Sequence, residues 1–311
     1  MKLAFVFPGQ GSQAVGMMSG FTGHPVVRDT FAEASAALGD DLWQLVEEGP
    51  AEALNLTTNT QPVMLTAGVA VYRAWLASGG AKPAVMAGHS LGEYTALVAA
   101  GALAFADAVP LVRFRAQAMQ DAVPAGVGAM AAIMGGDDDA VAAACVEAAQ
   151  GQVVEPVNFN APGQIVIAGH REAVERAIAL AKQKGAKRGV LLPVSAPFHS
   201  SLLKPAADKL AARLAQIGFT TPAIPVIHNV DVADHAAPDA IRAALAQQAA
   251  SPVRWTATVR RMAELGVTHV VECGPGRVLA GMNRRIVDGI ESFALIDSDA
   301  INETLTALNN A

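Results

Sequence analysis

Short runs of hydrophobic residues alternate with longer helical patterns along most of the chain. The runs Leu3–Phe7, Ala84–Ala87, Val226–Asn229 and His269–Cys273 are mostly apolar and only four or five residues long, which is typical of buried strands. Between them lie longer segments with apolar residues at helical spacing, namely Val26–Leu38, Val63–Leu76 and Ala240–Ala249. This alternation predicts a mainly parallel sheet covered by helices, an α/β fold.

The middle of the chain, from residue 127 to residue 194, has a different order of predicted elements. These elements are strand Ala129–Met134, helix Asp137–Ala149, strand Val153–Asn158, strand Gln164–Gly169, helix Arg171–Lys184 and strand Gly189–Pro193. The order β-α-β-β-α-β is that of a ferredoxin-like unit. We therefore predict a core formed by residues 1-126 and 195-311, into which a ferredoxin-like subdomain, residues 127-194, is inserted.

Composition and charge narrow the class of protein. The 311 residues are 52% hydrophobic and 16% charged, which provides ample material for a core. No apolar run approaches about 18 residues, so no transmembrane helix and no membrane association are expected. The formal net charge of −6 argues against general nucleic-acid binding. Two cysteines, Cys145 and Cys273, cannot form a disulfide framework, and we expect both to be reduced in the cytoplasm.

The segment Val85–Glu93 carries the strongest chemical signal. It contains Gly88-His89-Ser90-Leu91-Gly92 between a short apolar run and a helical pattern, which is the strand–turn–helix arrangement of a nucleophile elbow. Such a turn exposes the Ser90 hydroxyl and places backbone N–H groups at a helix N-terminus, where they can bind an oxyanion. An idle serine in a tight turn is the simpler alternative.

A serine nucleophile needs a base, and the chain offers seven histidines. His199 is the leading candidate because it lies in the segment Ser195–Ser200, at the predicted junction of the two lobes, where catalytic groups often lie. His89 is adjacent to Ser90, but neighbouring residues at an elbow point in different directions. The other five lie in turns or at strand-like runs: His24, His170, His228, His235 and His269.

Two further features have simple alternatives. Gly9-Gln10-Gly11-Ser12-Gln13-Ala14 after the first strand superficially matches a dinucleotide fingerprint with Asp29 following. Asp29, however, lies in a helical pattern and not at a strand end, so we interpret this loop as a backbone N–H donor near Ser90.

Arg115 lies in a mostly apolar helix and is a candidate carboxylate ligand, although a surface ion pair would also explain it.

Eight segments together resemble the malonyl-CoA:acyl carrier protein transacylase family of bacterial fatty acid synthesis. In chain order they are Phe7–Gln13, Gly88–Tyr94, Arg115 with Met119-Gln120, Gly128–Ile133, Asn160-x-Pro162-Gly163-Gln164, Pro197-Phe198-His199, Gln248 with Ser251–Trp255, and Glu272-x-Gly274-Pro275-Gly276. The ordered set covers nearly the whole chain and is highly specific. The resemblance implies an α/β-hydrolase-like core with an inserted ferredoxin-like lobe, and ping-pong acyl transfer without metal or redox cofactor.

The resemblance also implies roles for individual residues. Ser90 would be the nucleophile and His199 the general base, with no acidic third member. Arg115 would pair with the malonyl carboxylate. The remaining assignments are the oxyanion-hole N–H groups of Gln10 and Leu91, the histidine-orienting carbonyl of Gln248, and substrate contacts from Gln248, Phe198 and Asn160.

The expected partners are malonyl-CoA, CoA and, transiently, a small acidic acyl carrier protein, with the enzyme acting as a monomer. Basic residues that could dock the carrier are Lys182, Lys184, Lys187, Arg188, Arg284 and Arg285. Three alternatives stay open: a serine thioesterase or esterase with Asp107, Asp121 or Glu155 as acid, a non-catalytic carrier-binding module, and the same transferase serving polyketide or malonate metabolism.

Overall fold

The computed structural model describes residues 1–310 and contains two separate sheets. The strands in chain order are β1 (Leu3–Phe7), β2 (Val85–Gly88), β3 (Gly128–Met134), β4 (Val154–Ala161), β5 (Gln164–His170), β6 (Arg188–Leu191), β7 (Val226–Ile227), β8 (His269–Cys273) and β9 (Glu291–Leu295). The α/β fold predicted above is confirmed.

Thirteen α-helices and two short 3-10 helices, Ser19–Phe21 and Ser201–Leu203, connect the strands within residues 1–310. The α-helices are α1 (Pro25–Leu38), α2 (Leu42–Glu48), α3 (Ala51–Leu54), α4 (Thr57–Ala77), α5 (Leu91–Ala99), α6 (Phe105–Asp121), α7 (Asp138–Ala149), α8 (Arg171–Gln183), α9 (Lys204–Leu214), α10 (Pro238–Gln248), α11 (Trp255–Glu264), α12 (Val278–Asn283) and α13 (Ser298–Asn309). None of these helices combines the length and apolarity needed to span a membrane.

The larger sheet is parallel, with the strand order β7-β2-β1-β8-β9. Because side chains alternate across a strand, β1 serves two cores. Phe5 and Phe7 belong to the larger hydrophobic cluster, whereas Val6 packs in a second cluster with Trp255. Burial on both faces explains the continuous apolar run of β1. The carboxyl ends of β1 and β2 are in register at Phe7 and Gly88, so the loops that follow them are neighbours.

The smaller sheet is antiparallel, with the strand order β4-β5-β3-β6. Its elements follow the predicted β-α-β-β-α-β order, and α7 and α8 cover one face around their own hydrophobic cluster. All four strands fall between residues 128 and 191, so we propose to keep the subdomain boundaries at 127-194.

The smaller sheet is joined to the core by backbone hydrogen bonds from the loop that follows α10. Val253 donates its N–H to the carbonyl of Val157 at 2.8 Å and accepts the N–H of Phe159 at 3.0 Å. The segment around Val253 therefore forms a parallel bridge to β4 at Asn158. This junction fixes the smaller sheet against the core beside the loop that follows Gln248.

Several element boundaries differ from the sequence predictions. Helix α4 begins at Thr57 and not at Val63, so Pro62 lies inside the helix and does not mark its start. Strand β7 ends at Ile227 because the next two residues, His228 and Asn229, turn toward α5 and bond Glu93. Strand β9 was not predicted, since its sequence Glu-Ser-Phe-Ala-Leu is neither continuously apolar nor strictly alternating.

Candidate active site

Ser90 lies in a strained turn between β2 and α5. Its backbone has φ 53° and ψ −111°, a conformation that residues with a side chain rarely adopt. The turn is close-packed, because a Cβ on Gly88 would overlap the backbone of Gly92, and a Cβ on Gly92 would overlap the carbonyl of Phe7. Glycine is therefore required on both sides, and the serine hydroxyl is held at the carboxyl edge of the parallel sheet.

His199 lies beside Ser90, although 109 residues separate them in sequence. The Ser90 Oγ and His199 Nε2 are 2.7 Å apart, and His199 Nδ1 is 2.9 Å from the backbone carbonyl of Gln248. Because a carbonyl can only accept, Nδ1 carries the proton and Nε2 is left to accept from the serine hydroxyl. This tautomer is the one that a general base requires.

Two features keep His199 in its neutral form. The imidazole is buried, and burial followed by the nearby positive charge of Arg115 lowers its pKa to about 3.

The backbone of His199 has φ 64°, a left-handed conformation that is uncommon outside glycine. Backbone strain at both Ser90 and His199 indicates that the surrounding contacts impose their orientation.

Arg115 is a buried cation next to the serine. Its Nη2 donates to Ser90 Oγ at 3.1 Å and to Gln248 Oε1 at 2.9 Å, and its Nη1 donates to Gln61 Oε1 at 2.8 Å. Only 1% of the residue is exposed, and no carboxylate within residues 1–310 forms an ion pair with it. Burial, the largest influence, lowers its pKa. The buried Glu93 carboxylate acts on this charge only at a distance, with Gln248 between them. A buried guanidinium with no contacting anion is suited to bind one.

Three buried polar residues complete the site and were missed by the sequence analysis. Gln61 holds Arg115, as described above. Asn229 accepts the N–H of Ser90 at 2.8 Å and donates to the carbonyl of Gly88 at 2.7 Å, which clamps the turn from both sides. Glu93 lies completely buried one helical turn after Ser90. The sequence carries one signal for Glu93, a charged residue in the mostly apolar helix α5, and none for Gln61, which follows the polar residues 57–60 at the start of α4.

The other candidate residues lie around this centre. Gln10 follows β1, and its side chain donates to Thr57 Oγ1 at 3.3 Å. Leu91 is the first residue of α5, and within residues 1–310 neither its backbone N–H nor that of Gln10 has a hydrogen-bond acceptor. Phe198 packs against the hydrophobic clusters of both lobes. Asn160 Oδ1 lies 2.8 Å from His89 Nε2, so His89 turns away from the serine.

The acidic residues considered for a hydrolase triad do not reach His199. Its Nδ1 faces the Gln248 carbonyl, and Glu155 instead accepts the N–H and hydroxyl of Ser201 at 2.7 and 2.8 Å. Asp107 and Asp121 are exposed on α6. Among the described residues there is also no cluster of three or more His, Cys, Asp or Glu side chains suited to a metal ion.

Comparison with known proteins agrees with this arrangement. An acyl transferase domain model matches residues 4–304. The malonyl CoA-acyl carrier protein transacylase of Escherichia coli is 59% identical over 98% of this chain and 99% of its own. The crystal structure of an acyl-carrier-protein S-malonyltransferase from Burkholderia pseudomallei has a TM-score of 0.97 at 61% identity, covering 98% of this chain and all of that one.

A further solved structure contains a malonyl-transacylase in complex with a type II polyketide acyl-carrier protein. It is 53% identical with a TM-score of 0.97 and covers the whole of both chains. The family match, the identities and the shared fold together show that this chain belongs to the acyl transferase family.

Proposed function

We propose that the protein transfers a malonyl group from malonyl-CoA to the phosphopantetheine thiol of an acyl carrier protein, through a malonyl ester of Ser90. The observation that carries this proposal is the buried, unpaired guanidinium of Arg115, 3.1 Å from the serine hydroxyl. An acyl group that ends in a carboxylate would neutralise that charge, whereas an acetyl group would not. The names of the relatives described above support the same activity.

In the first half-reaction the Ser90 hydroxyl attacks the thioester carbonyl while His199 Nε2 accepts its proton. The carbonyl oxygen becomes an oxyanion, which the N–H groups of Gln10 and Leu91 stabilise. When the tetrahedral intermediate collapses, the carbon–sulfur bond breaks and His199 protonates the departing CoA thiolate. The malonyl ester remains on Ser90 with its carboxylate on Arg115.

In the second half-reaction the carrier thiol takes the place of CoA. His199 removes the thiol proton, the thiolate attacks the ester, and the serine oxygen leaves with the proton returned by His199. Because the neutral tautomer of His199 is held by a carbonyl and not by a carboxylate, the base serves both halves without a charged partner. The proposal also includes the supply of extender units for fatty acid synthesis, a monomeric state and a cytoplasmic location. The two free cysteines, Cys145 and Cys273, support the cytoplasmic location.

The direct test is the intact mass of the protein after brief mixing with malonyl-CoA, followed by addition of phosphopantetheinylated carrier protein. We expect a malonyl adduct that the carrier discharges, with malonyl appearing on the carrier. Loss of the adduct to free malonate at the same rate without any carrier would indicate a thioesterase instead. Absence of an adduct would indicate a carrier-binding module.

Phe198 is proposed to limit the size of the acyl group, because it directly precedes the base and is fixed by the clusters of both lobes. Methylmalonyl-CoA should acylate wild-type protein about 10- to 200-fold more slowly than malonyl-CoA, the range for one extra methyl group in a tight pocket. Phe198→Ala should reduce the difference between the malonyl and methylmalonyl acylation rates. Single-turnover acylation with each acyl-CoA measures the two rates, and equal rates in the wild-type protein would contradict the proposal.

The basic residues proposed to dock the carrier differ in how free they are. Lys184 forms an ion pair with Glu147 at 2.9 Å, Arg284 donates to the carbonyl of Ser292, and Arg285 donates to Gln164 at 2.7 Å and to the carbonyl of Pro162 at 3.2 Å. Lys182, Lys187 and Arg188 are exposed, and within the described chain they form no ion pair. The free set on the smaller lobe is therefore the better candidate for an acidic partner.

Charge reversal in Lys187→Glu/Arg188→Glu should raise the KM for carrier protein about 10-fold and leave the KM for malonyl-CoA unchanged, because surface charges act mainly on the encounter with the partner. Steady-state transfer at varied carrier concentration measures the effect. Lys82→Glu is the matched control, since Lys82 is exposed at the amino end of β2, opposite the edge that carries Ser90. An unchanged KM for carrier in the double variant would remove these residues from the docking surface.

A further inference from the structure

A single buried carboxylate connects all parts of the site without touching the reacting atoms. Glu93 has no exposed surface, and both of its oxygens are occupied. Oε1 lies 2.7 Å from His228 Nδ1, and Oε2 accepts the N–H of Asn229 at 2.8 Å and Nε2 of Gln248 at 2.9 Å. Its three partners come from two different segments, the turn after β7 and the end of α10.

The first connection runs through Gln248. Its Nε2 also donates to the Ser90 carbonyl at 2.9 Å, so both amide protons point toward oxygen acceptors. The amide oxygen must then face Arg115, where it accepts from Nη2. The backbone carbonyl of the same residue holds His199. A carboxylate at position 93 therefore determines which way Gln248 turns, and Gln248 orients both the guanidinium and the base.

The second connection runs through Asn229, which clamps the Ser90 turn. Glu93 fixes the backbone of Asn229, so that the asparagine amide can bond Ser90 N and Gly88 O at once. His228 is equally buried and holds the other carboxylate oxygen. Burial lowers the pKa of His228, but the Glu93 carboxylate together with Asp231 and Asp234 raises it above its ordinary value. Because a carboxylate can only accept, Nδ1 carries the proton of this bond.

We infer that Glu93 is a positioning residue for acyl transfer, which aligns Ser90, His199 and Arg115 through Gln248 and Asn229. The Gln248 carbonyl takes the place that the acid of a Ser-His-Asp triad occupies, and Glu93 lies one residue further from the imidazole. The inference rests on the proposed malonyl transfer. Because misplacement by about 1 Å costs about 100-fold in rate, losing this anchor should act on kcat more than on KM.

The test compares Glu93→Leu with Glu93→Gln in single-turnover acylation by malonyl-CoA. The leucine leaves the N–H groups of Asn229 and Gln248 without an acceptor, and we expect kcat to fall about 100-fold with KM within about 3-fold of wild type. The glutamine keeps one oxygen for both N–H groups, and its own amide can donate to His228 in the other tautomer. We therefore expect Glu93→Gln to retain activity within about 5-fold of wild type.

A double-mutant cycle separates positioning from loss of stability. Because Glu93 acts partly through Gln248 and partly through Asn229, the two effects should be less than multiplicative: Glu93→Leu/Gln248→Leu should be slower than Gln248→Leu alone by clearly less than the loss of Glu93→Leu alone, and what remains belongs to Asn229. Glu272→Leu is the matched control, because Glu272 is also completely buried but lies in β8, two strands from β2, and caps α12 through Ala280 N. Its kcat per folded molecule should equal that of wild type. Should Glu93→Leu fail to fold, Glu93→Asp replaces it, with an expected loss of about 10-fold in kcat, because the shorter side chain cannot reach all three partners.

The outcomes are distinct. A wild-type protein that forms no malonyl adduct would overturn the proposed function and this inference together. A wild-type protein that acylates normally, with Glu93→Leu or its aspartate substitute equally fast, would overturn the inference alone. Multiplicative effects of the Glu93 and Gln248 substitutions, or a change confined to KM, would also overturn it.

Discussion

Ser90→Ala is expected to form no malonyl adduct and to transfer malonyl to carrier protein about 10,000-fold more slowly than wild type, or worse. Within residues 1–310, the serine oxygen is the nucleophile that lies within hydrogen-bond distance of His199 Nε2. Without it, the ping-pong route has no covalent intermediate. Intact mass after mixing with malonyl-CoA and the rate of malonyl-carrier formation measure the two effects.

His199→Ala serves as the partner experiment. We expect the rate of malonyl transfer to fall about 100- to 10,000-fold, because water would then have to accept the serine proton. Under the proposed mechanism Ser90 and His199 act as one unit, so Ser90→Ala/His199→Ala should be no slower than Ser90→Ala alone. An adduct that forms on the alanine variant at position 90 would place the nucleophile elsewhere.

Arg115→Ala is expected to lower kcat/KM for malonyl-CoA by roughly 30- to 5,000-fold, which corresponds to about 2–5 kcal/mol for truncating one member of a buried charge pair. Acetyl-CoA carries no carboxylate, so its kcat/KM should fall far less and the malonyl preference should collapse. The loss would not come from the base. Arg115 lowers the pKa of His199, so its removal raises that pKa, but burial is the larger cause and keeps the imidazole neutral near pH 7.

Arg113→Ala is the matched control for this prediction. Arg113 lies on the same helix, α6, but pairs with Asp40 at 3.0 Å on the protein surface. Its kcat/KM for both acyl-CoA substrates should match wild type. If malonyl preference survived in Arg115→Ala, the carboxylate would have to bind at another cation.

Local constraints explain which parts of the site the sequence could predict. The elbow is visible because its glycines are required by contacts within a few residues, and its strand and helix lie next to it in the chain. The pairing of Ser90 with His199, by contrast, depends on how two loops meet across the sheet. Its position at the predicted lobe junction made His199 the leading candidate for the base, and the family resemblance then assigned it that role.

The strands and helices show the same division. Strands β1 and β8 have the predicted boundaries because continuous burial leaves an unbroken apolar run. Strand β7 is two residues shorter than the predicted strand Val226–Asn229, because His228 and Asn229 leave the strand and bond Glu93. The periodicity of apolar residues predicts which positions are buried. It does not predict that a polar residue is buried because it bonds a partner far away in the sequence.

The bridge between Val253 and β4 has a consequence for protein engineering. Exchange of the smaller lobe between relatives is an obvious route to new acyl or carrier preferences, and residues 127-194 look like a self-contained cassette. Backbone hydrogen bonds from Val253, however, join this lobe to the core. Val253 lies outside residues 127-194 and only a few residues after Gln248. A chimera that keeps the donor's lobe but the host's 251–254 segment would transmit any mismatch directly to the carbonyl that holds His199, so the two pieces should be exchanged as one.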